Sequence, residues 1–438
     1  VEEVRAEEIS AEEVPIEETP IEETSAEEVR AGDVTQWRGD DRSGAYPETG
    51  LLKEWPTEGP RKLWETEELG GGYSSPIAVG KYVYVTGLVR DGSERKEVLT
   101  CLDKSGKIVW QTVYGNGYSG QYPSARTTPT WRDGELYVIS GSGEVVQIHA
   151  GTGKIVWRVD AKARYGGENG MWGTAESPLV DENAVYFTAG GSETTLVALS
   201  RTDGKRLWQT DSLDDKASYV SPTMIEHAAV RQIIGATTNY LFGVEPETGN
   251  LLWKLDIREE LDGGRRIQRW DILANSLVYR DGKILMSNGY DQGSLFFQLN
   301  QTGKEVKILW KNLDLTSMHH GFVILDGHVY STAHNEQAFT VVELATGKTT
   351  FHERIGNLNL AQIITAEGLL YLYDNSRGNL ILARPDPQKG FEEISRFSIR
   401  FGTGEHWCHP IISDGILYVR RGGTMAAFDL RDGKGNRS

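Results

Sequence analysis

The sequence has 438 residues, of which 50 are glycine, 18 tyrosine and 12 tryptophan. A chain rich in glycine and aromatic residues is typical of all-β proteins with many turns. The net charge is −17, and neither the first 33 residues nor the rest of the chain has the basic footprint that nucleic-acid binding requires. No run of apolar residues approaches the roughly 18 needed for a membrane-spanning helix.

The N-terminal segment, residues 1–33, is acidic and of low complexity, and we call it the acidic arm. Its first 30 residues are the six pentapeptides VEEVR, AEEIS, AEEVP, IEETP, IEETS and AEEVR. Thirteen acidic residues against Arg5 and Arg30 give the arm a net charge of −11 and leave about −6 for the rest of the chain. A period of five fits neither a helix nor a strand, and Pro15 and Pro20 would interrupt a helix.

Two interpretations of the acidic arm stay open. It is either an extended linker between an anchor and the rest of the protein, or a docking arm that lies on a partner or on a neighbouring copy. Because the sequence begins at Val1 rather than methionine, we also expect processing or a membrane tether upstream of that residue.

From residue 61 onward one motif recurs, consisting of a turn, Gly-Lys, two further residues and a tryptophan. It reads SGKIVW, TGKIVW and DGKRLW, with the variants GPRKLW, TGNLLW and TGKEVKILW. The intervals between successive tryptophans are 46, 47, 51, 45 and 57 residues. Weaker copies end at Phe351 and Phe397. A repeat of 40–50 residues made of short strands predicts the blades of a β-propeller. The tryptophans of the repeat are Trp64, Trp110, Trp157, Trp208, Trp253 and Trp310.

Each repeat reads as four strands, and Asp-Gly pairs such as Asp133-Gly134 and Asp414-Gly415 predict tight hairpins between them. The last repeat has only three strands before the chain ends, and residues 61–64 (RKLW) provide the missing one. We therefore predict an all-β, eight-bladed propeller over residues 34–438, closed by its N-terminal strand. The first strands are expected to begin near Ser75, Thr128, Ser177, Ser221, Ile272, Gly321, Gln362 and Pro410.

Two groups of residues have predicted roles. The six repeat tryptophans are expected to pack across the following blade as structural contacts rather than to bind a ligand. The loops that enter the innermost strands would converge on a central funnel, where aromatic and polar side chains could form a binding site or only fill the channel. The funnel candidates are Arg126, Glu168, Asn169, Trp172, Arg269, Trp270, His319, His320, His406 and Trp407.

The funnel residues do not predict a metal site or a catalytic residue. His319 and His320 lie two blades from His406 and His409, and no third ligand group accompanies them. Glu168 and Arg126 could form a simple ion pair, and no nucleophile lies beside a base. We therefore expect no catalytic residue, no metal and no cofactor.

The repeat resembles the propellers related to pyrroloquinoline-quinone alcohol dehydrogenases. The stretches WRGDDRSGAYPETGLLKEWPTEGP, MWGTAESPLVDENAVYFTAGG and HWCHPIISDGILYVRRGG are similar to a bacterial subgroup of small quinone-binding-like propellers. The resemblance covers about residues 35–430. It implies the propeller fold and, for a true dehydrogenase, a pair of adjacent cysteines, a catalytic aspartate and a calcium ion held by Glu and Asn beside the quinone.

The sequence departs from the dehydrogenases in several of these features. Cys101 and Cys408 are far apart, Glu168 and Asn169 occupy a suitable loop without a matching aspartate set, and little lies outside the blades except the acidic arm. The same architecture resembles the propeller lipoprotein of the bacterial outer-membrane assembly machinery, which is a scaffold.

These observations favour a non-catalytic, extracytoplasmic binding or scaffold propeller, located in the periplasm or at the cell surface and associated with the outer membrane. Its partners would be proteins or neighbouring copies bound through the acidic arm and a propeller face, with no nucleic acid. One alternative is a quinoprotein dehydrogenase that oxidises an alcohol or sugar with pyrroloquinoline quinone and calcium. Another is a propeller that binds glycans or other small ligands through Trp172, Trp270 and Trp407.

Overall fold

The fold is a ring of eight antiparallel sheets, as the repeat predicts. A computed structural model describes residues 29–261 and 272–433. Two strands precede the first blade: β1 (Ala45–Tyr46) and β2 (Arg61–Thr66). Within the described residues, no helix is long and apolar enough to cross a membrane.

Blades 1 to 4 follow in chain order, each with its first strand innermost. A two-stranded ribbon beside blade 3 joins β13 (Gly190–Gly191) to β16 (Asp215–Lys216). The short helices α1 (Ala161–Arg164) and α2 (Ile257–Leu261) follow the outer strands of blades 2 and 4. The strands are β3 (Ile77–Val79), β4 (Tyr82–Asp91), β5 (Glu94–Asp103) and β6 (Ile108–Asn116) in blade 1; β7 (Thr130–Arg132), β8 (Glu135–Ile139), β9 (Glu144–His149) and β10 (Ile155–Asp160) in blade 2; β11 (Leu179–Val180), β12 (Ala184–Thr188), β14 (Leu196–Ser200) and β15 (Arg206–Gln209) in blade 3; and β17 (Thr223–His227), β18 (Val230–Ala236), β19 (Tyr240–Val244) and β20 (Leu251–Asp256) in blade 4.

Blades 5 to 8 complete the ring. The innermost strand of blade 7 is also paired in parallel with β1. The strands are β21 (Val278–Arg280), β22 (Lys283–Asn288), β23 (Gly293–Leu299) and β24 (Val306–Asn312) in blade 5; β25 (Phe322–Leu325), β26 (His328–Thr332), β27 (Phe339–Glu343) and β28 (Thr349–Glu353) in blade 6; β29 (Ala361–Ala366), β30 (Leu369–Asp374), β31 (Asn379–Asp386) and β32 (Gly390–Ser398) in blade 7; and β33 (Ile411–Ser413), β34 (Ile416–Arg421) and β35 (Thr424–Asp429) in blade 8.

Ring closure occurs where the sequence predicts it. Strand β2 pairs antiparallel with β35, with Arg61 opposite Asp429 and Trp64 opposite Ala427. The outermost strand of blade 8 therefore comes from the N-terminal side of the chain. This pairing covers the edge of the last sheet, which would otherwise be open to aggregation.

Most of the core lies between neighbouring blades. Ile77 and Leu99 of blade 1 pack in one cluster with Trp131, Leu136 and Val146 of blade 2. Because both faces of most blades are covered in this way, inner strands such as β12, β29 and β30 are buried along their whole length.

The repeat tryptophans lie at these contacts between blades. The indole Nε1 of Trp110 donates to the backbone oxygen of Ala150 in blade 2 at 3.2 Å. Trp64, Trp157, Trp208 and Trp310 donate in the same way to a carbonyl in the turn of the following blade, at 2.9 Å each. Trp253 differs, because its Nε1 donates to the buried Gln232 Oε1 in its own blade at 2.7 Å.

The segment before β2 crosses the axis of the ring, and we call residues 34–48 the axial plug. Arg38 is buried and donates to the backbone oxygens of Phe322 in blade 6 at 2.5 Å and of Ile363 in blade 7 at 3.2 Å. Arg42 is also buried and donates to the oxygens of Ser177 and Pro178 at 3.3 and 2.9 Å, next to the first strand of blade 3. The plug therefore connects innermost strands from opposite sides of the ring.

The plug approaches the ring from the face that carries the turns between first and second strands. The backbone nitrogens of Asp414 and Gly415, in such a turn of blade 8, donate to the Glu48 carboxylate at 3.0 and 2.9 Å. The nitrogen of Gly80, in the corresponding turn of blade 1, donates to Asp33 at 2.9 Å. We call this side the turn face, and the opposite side, where loops enter the first strands, the funnel face.

Candidate functional site

The funnel face holds a cavity of about 290 Å³ at the propeller axis. All first strands run in the same direction near the axis, so the loops that lead into them open on one face. These loops provide almost all of the wall, while Trp37 of the axial plug contributes from the other side and Tyr290 comes from the turn between β22 and β23. The lining consists of Trp37, Tyr73, Tyr122, Arg126, Trp172, Ala175, Ser177, Tyr219, Ser221, Ile272, Ala274, Tyr290, Met318, His319, Trp407 and His409.

Aromatic rings form most of the cavity wall. The Trp407 ring lies at the centre of one group, with ring centroids 5.0 Å from Tyr73, 5.2 Å from Tyr122 and 5.0 Å from His319. Trp172 and Tyr219 form a second pair at 5.8 Å. Tyr219 precedes the first strand of blade 4 and Trp407 that of blade 8, so these two residues come from opposite sides of the ring.

The guanidinium group of Arg126 is the positively charged group in the described cavity wall. Its Nη2 donates to the backbone oxygens of Tyr122 at 2.7 Å and Gln121 at 3.2 Å, and its guanidinium lies 5.1 Å from the Tyr118 ring centroid. Its Nη1 is shielded from solvent and has no hydrogen-bond partner among the described residues. Burial lowers the pKa of Arg126 from its usual value, but an arginine remains charged at neutral pH.

His319 contributes an uncharged imidazole. Burial lowers its pKa to about 4, with His334 nearby adding to the effect. The backbone oxygen of His319 accepts a hydrogen bond from the ring of His409 at 2.9 Å. At neutral pH His319 is therefore neutral, and its shielded Nε2, unpaired among the described residues, can donate or accept depending on the tautomer.

The axial plug forms the floor of the cavity. The ring of Trp37 meets that of His409 edge-on, with centroids 5.6 Å apart. The His409 ring is also held by the axial plug, because its Nδ1 lies at hydrogen-bond distance, 3.0 Å, from Nη1 of Arg38. The cavity floor thus depends on the N-terminal segment as well as on the blades.

Four of the ten funnel candidates predicted from sequence line this cavity together: Arg126, Trp172, His319 and Trp407. His320 is fully buried and binds the Thr332 backbone oxygen at 2.7 Å, and His406 is paired with the Tyr373 hydroxyl at 2.6 Å, so both face the blades. Arg269 and Trp270 lie outside the described residues.

The predicted pair Glu168 and Asn169 lies outside the cavity lining. Glu168 is exposed, and the described contacts include no ion pair between it and Arg126. Asn169 donates to the Thr174 hydroxyl at 2.8 Å. Their loop therefore reaches the funnel face without bringing either side chain to the axis.

Several lining residues were not predicted. Trp37 lies outside the repeats, so no periodic signal marks it. Tyr290 lies in a loop between second and third strands rather than in a loop that enters a first strand. Tyr122 and Met318 could have been found, because each lies within four residues of a predicted funnel residue.

The described lining residues do not fit a calcium-bound quinone. A calcium site requires several oxygen ligands, and carboxylates are absent from the described lining. Within residues 29–261 and 272–433, no group of three His, Cys, Asp or Glu side chains could hold a metal ion. Cys101 and Cys408 are both buried, and neither forms a disulfide.

Known proteins resemble this chain both in sequence and in fold. The family described as "Outer membrane protein assembly factor BamB" matches residues 94–353. The assembly factor BamB of Yersinia pestis is 24% identical over 272 residues, which are 61% of this chain and 65% of that protein, so the chain spans just under two thirds of its length.

Two solved structures share the fold. BamB from Moraxella catarrhalis has a TM-score of 0.58 and 11% identity, and the alignment covers 84% of this chain and 99% of that one. A europium-containing methanol dehydrogenase has a TM-score of 0.63 and 12% identity, with coverage of 90% and 91%. Because the family match extends over more than half of the sequence, this chain belongs to the family of outer membrane protein assembly factor BamB, a group of propellers with pyrroloquinoline-quinone-like repeats.

Proposed function

We propose that this protein is a non-catalytic, extracytoplasmic propeller that acts as a binding or scaffold module. The family match is the observation that carries this proposal, since members are described as assembly factors of outer membrane proteins. The cavity supports it, because its described lining offers aromatic surface, one arginine and a neutral imidazole. Such a set suits binding and contains no paired nucleophile and base.

A location outside the cytoplasm, in association with the outer membrane, is part of the same proposal. It is supported by the names of the relatives, which place their role in assembling proteins of that membrane. Fractionation of the native organism into cytoplasmic, periplasmic and outer-membrane material, followed by immunoblotting, tests it. Recovery in the cytoplasm alone would contradict it.

The acidic arm is proposed to tether the propeller or to dock it on a partner. The described part supports a defined exit point, because Asp33 is fixed to Gly80 on the turn face while the cavity opens on the funnel face. A partner that binds thirteen acidic residues through basic groups would make salt-sensitive contacts. The arm and the cavity could therefore act on different partners.

A pull-down tests the scaffold proposal. The full chain and a variant that begins at Asp33 would be used as baits in extracts of the native organism, with Arg384→Gln as a surface control. We expect a defined partner set for the full chain, and the loss of some partners from the shortened variant. Identical partner sets would argue against a docking role for the arm, and no enrichment over an unrelated propeller would argue against the scaffold role itself.

A quinoprotein dehydrogenase is the second candidate, favoured by the fold shared with a methanol dehydrogenase. It would be tested by titrating the protein with pyrroloquinoline quinone and calcium, while recording tryptophan fluorescence and dye-linked alcohol oxidation. Since the described lining lacks carboxylates, we expect no calcium-dependent binding and no turnover. Saturable, calcium-dependent quenching with turnover would instead establish the dehydrogenase.

Binding of glycans or other small ligands is the third candidate. Trp172 and Trp407 both line the cavity, which supports this reading, while Trp270 lies outside the described residues. Folded Trp172→Ala and Trp407→Ala variants would lose ligand binding if it is right.

A further inference from the structure

The axial cavity has an unusual balance of charge. Arg126 is the only residue in the described lining that is charged at neutral pH, because burial keeps His319 neutral and the lining contains no aspartate or glutamate. His409, on the floor, is also buried, which lowers its pKa well below the usual value. A cation in a water-poor aromatic site attracts an anion more strongly than the same cation in water would.

The wall also carries hydrogen-bonding groups that remain unused. Nη1 of Arg126, Nε1 of Trp172 and Nε2 of His319 are all shielded from solvent and unpaired among the described residues. Leaving a buried donor unsatisfied is unfavourable, so a ligand that accepts hydrogen bonds here gains affinity. Because all three residues line the cavity, rotation of their side chains would bring these groups to a ligand with acceptor oxygens.

The remainder of the wall favours a flat, apolar body. The rings of Trp37, Trp172 and Trp407 offer stacking surfaces, and Tyr73 and Tyr219 extend them. The volume of about 290 Å³ lies near the lower end of the roughly 300–1,000 Å³ typical of small-molecule sites. A small ring system with one acidic group fits this size better than a bulky polyanion does.

We propose that the axial cavity binds a small organic monoanion without a metal ion, with its flat apolar body against Trp172 and Trp407 and its carboxylate on Arg126. This inference rests on the proposed binding function and names the class of ligand for the site. It differs from the dehydrogenase reading because the carboxylate is held by an arginine and neutral donors, and calcium has no part in the site.

Isothermal titration calorimetry with the full chain tests the inference, using 1-naphthoate as the probe. Its neutral analogue 1-naphthalenemethanol and the cation 1-naphthylmethylammonium serve as matched ligands. We expect the naphthoate to bind at least about tenfold more tightly than the alcohol, since a hydrogen bond to a charged group adds that much, and the cation to bind weakest. The affinity should be the same in calcium and in EDTA.

Variants identify the residue responsible. Arg126→Gln should weaken naphthoate binding by about tenfold or more and leave the alcohol unchanged, while Arg126→Lys should retain part of the preference for the anion. Arg384→Gln is the matched control, because Arg384 is an exposed arginine paired with Glu392. Circular dichroism would verify that each variant is folded.

Three results would overturn the inference: equal affinity for the anion and the alcohol in the unaltered protein, an unchanged anion preference in Arg126→Gln, or a strict requirement for calcium. The first comparison needs no variant, so it decides the matter even if Arg126→Gln does not fold. If these ligands fail to bind while the pull-down still recovers partners, the scaffold function stands and only the ligand class is wrong.

Discussion

The indole ring of Trp110 lies directly against Gly153 in the turn of the next blade. A Cβ atom added to Gly153 would be 2.7 Å from Cδ2 and Cε3 of the indole, closer than real contacts allow. Trp64 with Gly106, Trp157 with Gly204, Trp208 with Gly249 and Trp310 with Gly347 repeat the relationship. The glycine and the tryptophan of the repeat are thus two halves of one contact, each half belonging to a different blade.

Gly153→Ala should therefore destabilise the propeller by roughly 2–4 kcal/mol, through overpacking against the indole added to the strain of a positive φ. The matched control is Gly327→Ala, because Gly327 has a similar φ of +74° against +71° but no atom within 4 Å of the added Cβ. Urea unfolding followed by circular dichroism would measure both. Equal destabilisation of the two variants would show that the indole contact contributes nothing.

Arg38→Met should destabilise the protein more than the same substitution at a surface arginine, by roughly 3–5 kcal/mol, because several buried acceptors lose their donor at about 1–3 kcal/mol each. The substitution removes the donor for the buried backbone oxygens of Phe322 and Ile363 and frees the His409 ring at the cavity floor. Arg384→Met provides the comparison, since exposed ion pairs contribute at most about 1 kcal/mol. A loss of stability no larger than that of Arg384→Met would mean that the plug does not brace the ring.

Glu176 should make stability fall as pH rises. Its carboxyl group is fully buried and accepts a hydrogen bond from the backbone nitrogen of Thr188 at 3.1 Å. Burial raises the pKa of Glu176 to about 7. Between its ordinary pKa, near 4.5, and about 7, the folded state binds more protons than the unfolded state, so the free energy of unfolding decreases with increasing pH in that window.

The measurement compares Glu176→Gln with the unaltered protein, because glutamine resembles the protonated acid and does not titrate. The variant should gain stability relative to the unaltered protein as pH rises from about 4.5 to about 7, and the difference should be constant above that range. Using the difference removes the opposing contribution of the buried histidines. A difference that is independent of pH would show that the Glu176 carboxyl is not perturbed.

Naphthoate affinity should be flat between about pH 5.5 and 8. The pKa of His319 is lowered to about 4, so its ring stays neutral over this range, and Arg126 stays charged. If His319 carried a proton near pH 6, the affinity would instead rise on acidification. Titrations at several pH values, repeated with His319→Gln, distinguish the two cases.

Much of the ring could be predicted from sequence because its units repeat. The period places Trp110, Trp157 and Trp208 at equivalent positions, and the shortage of one strand in the last repeat indicates closure by residues 61–64. The same reasoning places Arg126, Trp172, His319 and Trp407 on loops that converge on the axis. The interpretation of one copy of a repeated motif can be checked against the other copies, whereas a feature that occurs once offers no such comparison.

The remaining parts of the site depend on features that occur once. Trp37 and Arg38 of the axial plug have no counterpart in any blade, so nothing in their sequence indicates that they reach the axis. Neighbouring residues also diverge: His319 lines the cavity while His320 is fully buried against Thr332. Which of two adjacent side chains faces the axis depends on backbone direction within an irregular loop, and sequence spacing does not determine it.

The closure of the ring has a consequence for biosynthesis. Most contacts between strands join strands that are consecutive in the chain, so blades 1 to 7 can form in turn while the chain is being made. Strand β2 is made early, yet its partner comes late, because Arg61 pairs with Asp429. Part of the axial plug also has late partners, since Glu48 binds Gly415 and Arg38 lies against His409. Strand β2 must therefore wait for almost the whole chain, and a ribosome stalled before blade 8 would carry an open ring that exposes its last sheet edge.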